Sequence, residues 1–170
     1  RPRSQESLAI TLRSAAARKD NPDKAMAAVG ALRRHELLRI VLGDLTGQFA
    51  ADQVGAALAD LAGATVEAGL EVAPRVVGGG EDGLLVDVLV VGMGSLGGRE
   101  LGYASDADVM VIHQPRPGVS DEAAHRQGLA IVQELVRLVA ATGSDAARLD
   151  PHRRPGGQNG PPTRRLPPHA

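Results

Sequence analysis

The sequence contains no cysteine and no tryptophan, and it has one phenylalanine, Phe49, and one tyrosine, Tyr103. Without cysteine there is neither a disulfide framework nor a thiolate metal site, which fits a reducing compartment. Single-stranded nucleic acids are bound largely by stacking on aromatic side chains, so their near absence argues against that function. The core must instead be built from Ala, Leu, Val and Ile.

Excess charge and long apolar runs are lacking as well. The formal net charge is −1, so the chain as a whole is not attracted to nucleic acid or to a membrane surface. No apolar run approaches the roughly 20 residues of a membrane span, and no signal peptide is visible. We therefore expect no nucleic-acid partner and no membrane association. The chain begins at Arg1 rather than methionine, and we expect it to be a piece of a larger protein.

The most informative feature is a glycine-rich turn that follows an apolar run over residues 84–91. Residues 92–109 are GMGSLGGRELGYASDADV. When such a turn opens a helix, its backbone N–H groups can bind phosphate. The stretch therefore predicts a phosphate site directly after a strand.

Two aspartates, Asp106 and Asp108, lie one residue apart at the start of the next apolar run. Alternate residues of a strand point to the same face, so both carboxylates face one way. Neighbouring carboxylates repel each other and favour a shared divalent cation. A phosphate site next to metal-binding carboxylates is typical of chemistry on a nucleoside triphosphate.

The same glycines also fit the dinucleotide-binding fingerprint G-x-G-x-x-G over residues 92–97. That fingerprint expects an acidic residue near the end of the second strand. Here the second strand, predicted over 108–113, has its acids at its beginning, and too few residues separate Gly98 from Ser105 for a crossover helix. A dinucleotide-binding module is therefore an alternative that the spacing disfavours.

Residues 92–109 carry the sequence motif Gly-Met-Gly-x-Leu-Gly-Gly-x-Glu-Leu-x-Tyr-x-Ser-Asp-x-Asp-Val. This motif resembles that of the glutamine synthetase adenylyltransferase family, which belongs to the polymerase-β-like nucleotidyltransferases. The resemblance covers about residues 6–165 and is strongest over 90–111, where it is most similar to the C-terminal, adenylylating copy of actinobacterial-type members. It implies an enzyme that moves AMP from ATP to a tyrosine of glutamine synthetase and so regulates nitrogen assimilation. The deadenylylating, phosphorolytic copy and a catalytically incomplete fragment remain alternatives.

The resemblance also implies Mg²⁺ as cofactor, ATP as substrate and a set of site residues. The metal ligands would be Asp106, Asp108 and, as the third carboxylate, Asp150. Arg154 would contact a phosphate or form a structural ion pair. Many members carry a basic residue where this chain has Ser95, so phosphate binding could be weaker here. The residues expected to hold the triphosphate are Gly94, Ser95, Gly97, Gly98 and Ser105.

Glutamine synthetase is the partner that the resemblance implies, in a cytoplasmic location. PII-type signal proteins would act through regions absent from this chain. Pro151 and His152 are poor strand residues, and the prolines after Gly160 depart from the family's pattern. The chain also ends just after the region of the third carboxylate and lacks the helical remainder that family members carry, so we expect weak or no transferase activity from the isolated chain.

These observations predict an α+β fold, with a helical N-terminal segment followed by a polymerase-β-like nucleotidyltransferase domain with a small mixed sheet. The predicted boundaries are 1–75 for the helical segment, 76–155 for the catalytic core and 156–170 for a disordered, Pro- and Arg-rich tail. Strand 84–91 is almost continuously apolar, which predicts a central position with both faces buried. A third strand is expected around 146–152.

Four long helices are predicted over residues 4–19, 22–47, 52–74 and from 121 to about 142, and a short helix is predicted over 95–101. Asn21 and Ser120 are the expected N-caps of the second and fourth. In the second helix, an apolar stripe predicts the buried face: Leu37, Leu38, Val41, Leu42 and Leu45. The inward residues expected in the third helix are Val54, Leu58, Leu61 and Thr65, and in the fourth Ile131, Leu135, Leu138 and Val139.

For several other polar residues we expect structural rather than catalytic roles. Asp87 should reach solvent or a partner, and Arg99 should lie on the surface or form a local pair. Tyr103 should pack beside the metal-binding strand. His113 and His125 have no partners at metal-ligand spacing, so a surface or capping role is expected for both.

Overall fold

The structure, a computed structural model, describes residues 2–78, 83–143, 149–150 and 163–165. The α+β class with a helical N-terminal part is confirmed. No helix within these ranges is long and apolar enough to cross a membrane. The elements are α1 (Gln5–Ala17), α2 (Pro22–Leu45), α3 (Ala51–Val77), β1 (Val86–Gly92), α4 (Gly94–Gly97), β2 (Ala107–Pro115), α5 (Asp121–Ala140), β3 (Leu149–Asp150) and β4 (Thr163–Arg165).

Side-chain caps begin three of the helices. The Oδ1 of Asn21 accepts a hydrogen bond from the backbone N–H of Lys24 at 2.9 Å, and Pro22 occupies the first helical position of α2. Ser120 accepts in the same way at the start of α5, and Ser4 at the start of α1. Because each cap satisfies an N–H that has no partner within the helix, it sets where the helix starts. The starts predicted at Asn21 and Ser120 are confirmed.

Helix α3 lies at the centre and packs against α1, α2, α4 and α5. Its predicted inward residues are all buried, from Leu61 and Thr65 at 1% exposure to Leu58 at 7%. The predicted inward residues of α5 are also buried, and Leu135 and Leu138 have no exposed surface. One hydrophobic core runs from α1 through α3 to α5 and β2.

The predicted buried face of α2 is only partly correct: Leu37 packs against the core and Val41 is half-buried, but the other three residues are exposed. Leu38, Leu42 and Leu45 are 56%, 52% and 79% exposed, while Met26 and Ile40 are fully buried. Periodicity identifies an apolar stripe but not which stripe meets the neighbouring helices. The buried side of α2 includes Met26, Val29 and Ile40 together with Gly30, where an added Cβ would lie 2.8 Å from the carbonyl oxygen of Thr142.

The described strands form one small mixed sheet. β1 and β2 are antiparallel, with Gly92 opposite Val109, and β3 and β4 both run parallel to β2. Helix α5 packs on one face of β1 and β2. β3 falls within the third strand expected over 146–152, whose other residues lie outside the described ranges. β4 is a strand that the sequence did not predict, in the segment expected to be disordered.

The expectation that β1 is buried on both faces is also wrong. β1 lies at one edge of the described sheet, and Leu89 is 55% exposed. Val86 is buried, whereas Asp87 is exposed and pairs with Arg116, as its simple interpretation predicts. A continuous apolar run raises the chance of burial, but a strand needs layers on both faces to realise it.

Two substitutions in α2 test which face supports the fold. We expect Ile40→Ala to lower the free energy of unfolding by about 2–5 kcal/mol, because it leaves a cavity in the core. Leu42→Ala, two residues further along, should change it by less than about 1 kcal/mol, because that side chain is half exposed. Urea denaturation measures both, and equal losses would contradict the packing of α2 described above.

Candidate active site

The glycine-rich turn is built as a direct extension of the β1–β2 ladder. One residue beyond β1, the N–H of Met93 donates to the carbonyl of Asp108 at 2.9 Å. The chain then forms the single turn of α4, in which Gly97 N–H donates to Met93 and Gly98 N–H donates to Gly94, both at 2.9 Å. The turn is thereby held at the beginning of β2.

The side chain of Asp108 lies close to Gly94. Gly94 has a φ of 49°, and a Cβ added there would lie 3.0 Å from Oδ2 of Asp108. The positive φ favours glycine, and the missing side chain leaves the room that the carboxylate occupies. The structure therefore brings one predicted metal ligand against the first residue of the predicted phosphate-binding turn.

Asp106 and Asp108 flank Ala107, which is 1% exposed, and they point away from the core. Asp106 is exposed and Asp108 is half-buried. Both belong to the face of the sheet opposite α5, together with the exposed Leu89. Two carboxylates on one open face are chemically suited to a divalent cation.

The third predicted carboxylate, Asp150, is the register partner of Asp108 in the parallel β2–β3 ladder. The structure describes the backbone of Asp150 but not its side chain. Arg154 lies outside the described residues altogether. Among the described residues no group of three or more His, Cys, Asp or Glu side chains could hold a metal ion.

The remaining predicted residues lie along the turn and the loop after it. Gly94 and Ser95 are the first residues of α4, where the N–H groups of a helix have no acceptor within it. A Cβ on Gly97 would lie 2.5 Å from the carbonyl oxygen of Gly92, so the turn closes only with glycine there. The hydroxyl of Ser105 accepts from the N–H of Gly102 at 3.2 Å and shapes the loop that leads to Asp106.

An ion pair that the sequence did not reveal joins the turn to α3. Nε of Arg99 donates to Oδ1 of Asp60 at 3.1 Å, and Nη2 donates to Oδ2 at 2.8 Å. The surface position expected for Arg99 is confirmed, since its side chain is 60% exposed. Its ion pair is not local, because the partner lies 39 residues away. Asp60 occupies a buried position of α3, three residues after Ala57 and four before Ala64. A carboxylate within that apolar stripe was the signal that a cationic partner was required.

A second contact ties the loop to α2. Tyr103, expected to pack beside β2, is 40% exposed, and its hydroxyl donates to Oδ2 of Asp44 at 2.8 Å. Desolvation raises the pKa of Tyr103 to about 12, and the hydrogen bond and negative charge of Asp44 act in the same direction. The phenol is thus a neutral hydrogen-bond donor at physiological pH.

The two histidines do not both lie at the surface. His113 is 5% exposed under α5, and its ring centroid is 5.4 Å from that of the half-buried His125. The surface position expected for His113 is therefore wrong. Its position follows from the strand alternation that also buries Val109 and Val111, because residues 109, 111 and 113 share the face that α5 covers.

A cleft of about 530 Å³ separates α3 from β1 and the glycine-rich turn. Its lining includes Asp60, Arg99, Gly92 and Gly97 but neither Asp106 nor Asp108. The cleft therefore borders the turn on its α3 side, apart from the two carboxylates.

Alanine at Gly94 should be more harmful than alanine at a comparable glycine without neighbours. Gly118 has a φ of 81° and nothing within 4 Å of an added Cβ. Gly118→Ala should cost about 1–2 kcal/mol of unfolding free energy, because an L-residue there adopts a left-handed conformation. Gly94→Ala should cost more, because the methyl group also displaces the Asp108 carboxylate. Urea denaturation compares the two, and an equal loss would speak against the close packing of Gly94 on Asp108.

Known proteins resemble this chain over nearly its whole length. A family model described as glutamate-ammonia ligase adenylyltransferase matches residues 1–167. The bifunctional glutamine synthetase adenylyltransferase/adenylyl-removing enzyme of Nocardia farcinica is 40% identical over 164 residues, which are 95% of this chain and 16% of that protein. The enzyme of the same name in Mycobacterium tuberculosis is 38% identical over 160 residues, which are 94% of this chain and 16% of that protein. For Streptomyces coelicolor the identity is 37% over 180 residues, covering 98% of this chain and 18% of the relative.

The chain thus spans about one sixth of the length of these curated relatives. The match extends through both the helical part and the sheet, and it includes the glycine-rich turn and the paired aspartates. On the strength of the family model and these relatives, the chain belongs to the glutamate-ammonia ligase adenylyltransferase family.

Proposed function

We propose that this chain carries a nucleotidyl-transfer site that moves AMP from ATP to a tyrosine of glutamine synthetase. The observation that carries the proposal is the close approach of the Asp108 carboxylate to Gly94, with the exposed Asp106 two residues before it. A phosphate-binding turn and a pair of metal-binding carboxylates are needed side by side for transfer from a nucleoside triphosphate. Here 3.0 Å separates Asp108 from the space that a Cβ of Gly94 would fill.

In the proposed site the turn binds the triphosphate. Residue 95 is a serine, so the amide N–H groups at the start of α4 and the Ser95 hydroxyl make the contacts with the phosphate oxygens. Gly97 and Gly98 allow the turn to close, since an added Cβ would lie 2.5 Å from the carbonyl oxygen of Gly92 and 3.3 Å from that of Gly94, respectively. Ser105 shapes the loop before Asp106, because its hydroxyl accepts a hydrogen bond from the N–H of Gly102.

Asp106 and Asp108 are the residues that would hold Mg²⁺, and their all-oxygen chemistry fits that ion. Asp150 joins them as the third ligand in this proposal, which the register of β3 beside Asp108 supports. When bound, the ion would neutralise charge on the triphosphate and on the departing pyrophosphate. Arg154 is proposed to contact a phosphate.

The proposed reaction exchanges one bond at phosphorus. The phenolic oxygen of the substrate tyrosine forms a bond to the α-phosphorus of ATP, and the bond from that phosphorus to the bridging oxygen of pyrophosphate breaks. The phenolic proton is released. The contribution of this chain is to hold the triphosphate in line with the incoming oxygen and to exclude other orientations.

The names of the relatives include both an adenylyltransferase and an adenylyl-removing activity. We assign the transferase activity to this chain because its sequence ELGYASDADVM, residues 100–110, is most similar to the adenylylating domain of family members. Glutamine synthetase as partner, regulation by a PII-type protein through parts of the relatives that this chain does not cover, and a cytoplasmic location belong to the same proposal.

Calorimetric titration of the chain with ATP, with and without Mg²⁺, tests the site. We expect Mg²⁺-dependent binding that disappears in Asp106→Asn/Asp108→Asn, because the amides cannot replace two carboxylates as ligands. Asp87→Asn is the matched control. Asp87 is an exposed aspartate of β1 that pairs with Arg116, and its loss should leave ATP binding unchanged.

The other outcomes are equally informative. Tight binding of ATP that ignores both Mg²⁺ and the double substitution would contradict the proposed metal site, and NADH binding without Mg²⁺ would favour a dinucleotide module. If the site binds Mg²⁺–ATP, incubation with glutamine synthetase separates the two directions. Incorporation of labelled AMP from ATP supports transfer, whereas phosphate-dependent release of AMP from the modified enzyme would assign the removing activity to this chain.

A further inference from the structure

The glycine-rich turn ends at Arg99, a residue other than glycine with a left-handed backbone conformation. Arg99 has a φ of 57° and is the one residue other than glycine with a positive φ among those the structure describes. It closes α4, where its own N–H donates to Leu96 at 3.2 Å and the N–H of Glu100 donates to Ser95 at 2.8 Å. Glycine usually occupies this position at the end of a helix, because it adopts the left-handed conformation without strain. A residue other than glycine is strained in this conformation, so interactions with its surroundings must hold it there. One of these interactions involves the Arg99 side chain.

That interaction is with α3. The Arg99 guanidinium makes two hydrogen bonds to the Asp60 carboxylate, at 3.1 and 2.8 Å, and Asp60 is 4% exposed. Paired hydrogen bonds between a planar guanidinium and a carboxylate restrict both distance and orientation. The adjoining backbone also meets α3, since a Cβ added to Gly55 would lie 3.3 Å from the Cα of Glu100. The end of the turn is therefore held against a central helix at two points.

We propose that Asp60 and Arg99 are positioning residues for the nucleotide site. The pair anchors the closing end of the turn on α3, so that its opening end, Gly94, stays against Asp108 and its N–H groups keep a fixed geometry. Glycine at position 99 would relieve the backbone strain but lose the anchor. The role in ATP binding rests on the proposed function, whereas the anchoring of the turn does not depend on it.

The decisive variant is Asp60→Ala/Arg99→Gly. It removes both charges, so no unpaired carboxylate is left buried, and it supplies the residue that the backbone at 99 favours. Its thermal midpoint should stay within about 3 °C of the parent chain. Arg99→Gly alone should lower the midpoint, because it leaves Asp60 buried without its partner.

Two measurements report on the anchor. Amide hydrogen exchange by NMR should be about tenfold faster in the double variant for Gly98 and Glu100, whose N–H groups close the turn. Calorimetry should show a dissociation constant for Mg²⁺–ATP raised roughly ten- to a hundredfold, because the turn no longer holds its N–H groups in place. Arg99→Lys, which keeps the charge facing Asp60 but not the planar pair of donors, should fall between the parent and the double variant.

Arg137→Ala is the matched control, because Arg137 of α5 pairs with Asp23 of α2 and joins two helices away from the turn. It should leave both readouts unchanged. Parent-like exchange at Gly98 and Glu100 in the double variant would overturn the anchor. Faster exchange with parent-like Mg²⁺–ATP affinity would overturn its role in positioning. If the parent chain itself fails to bind Mg²⁺–ATP, the proposed function fails, and hydrogen exchange alone still decides the anchor.

Discussion

The close packing of α3 is the constraint on which the rest of the molecule depends. This helix contacts four other helices, and it achieves this without aromatic side chains by presenting small residues to its neighbours. A Cβ on Gly69 would lie 2.8 Å from Leu135 of α5, and one on Gly55 would lie 3.3 Å from the backbone of Glu100. Glycine and alanine allow neighbouring helices to approach closely. This close packing compensates for the apolar surface that large side chains would otherwise bury.

The position of the candidate site follows from this packing. α3 holds α5, and α5 covers one face of β1 and β2, so the opposite face remains for Asp106 and Asp108. α3 also holds the end of the glycine-rich turn through Asp60. The helical part is therefore more than a scaffold that precedes a catalytic core, because residues from it take part in shaping the turn and its loop.

Local signals predicted much of the fold. The caps at Asn21 and Ser120, the inward residues of α3 and α5, and the alternation around Ala107 all depend on interactions within a few residues of the chain. The errors share a different cause. The buried face of α2 and the depth of β1 depend on which elements arrive from far away in sequence, and apolar character alone does not specify a neighbour.

The sequence by itself determined the residues of the candidate site, which are a glycine-rich turn and two aspartates at strand spacing, and it determined the family resemblance that they carry. Tertiary structure alone decided the geometry. It set Asp108 against Gly94, buried His113 beneath α5 and joined Arg99 to Asp60 across 39 residues. The physical reason is that hydrogen bonds within helices and turns are encoded in neighbouring residues, whereas an ion pair or a close contact between distant segments exists only once the core has brought them together.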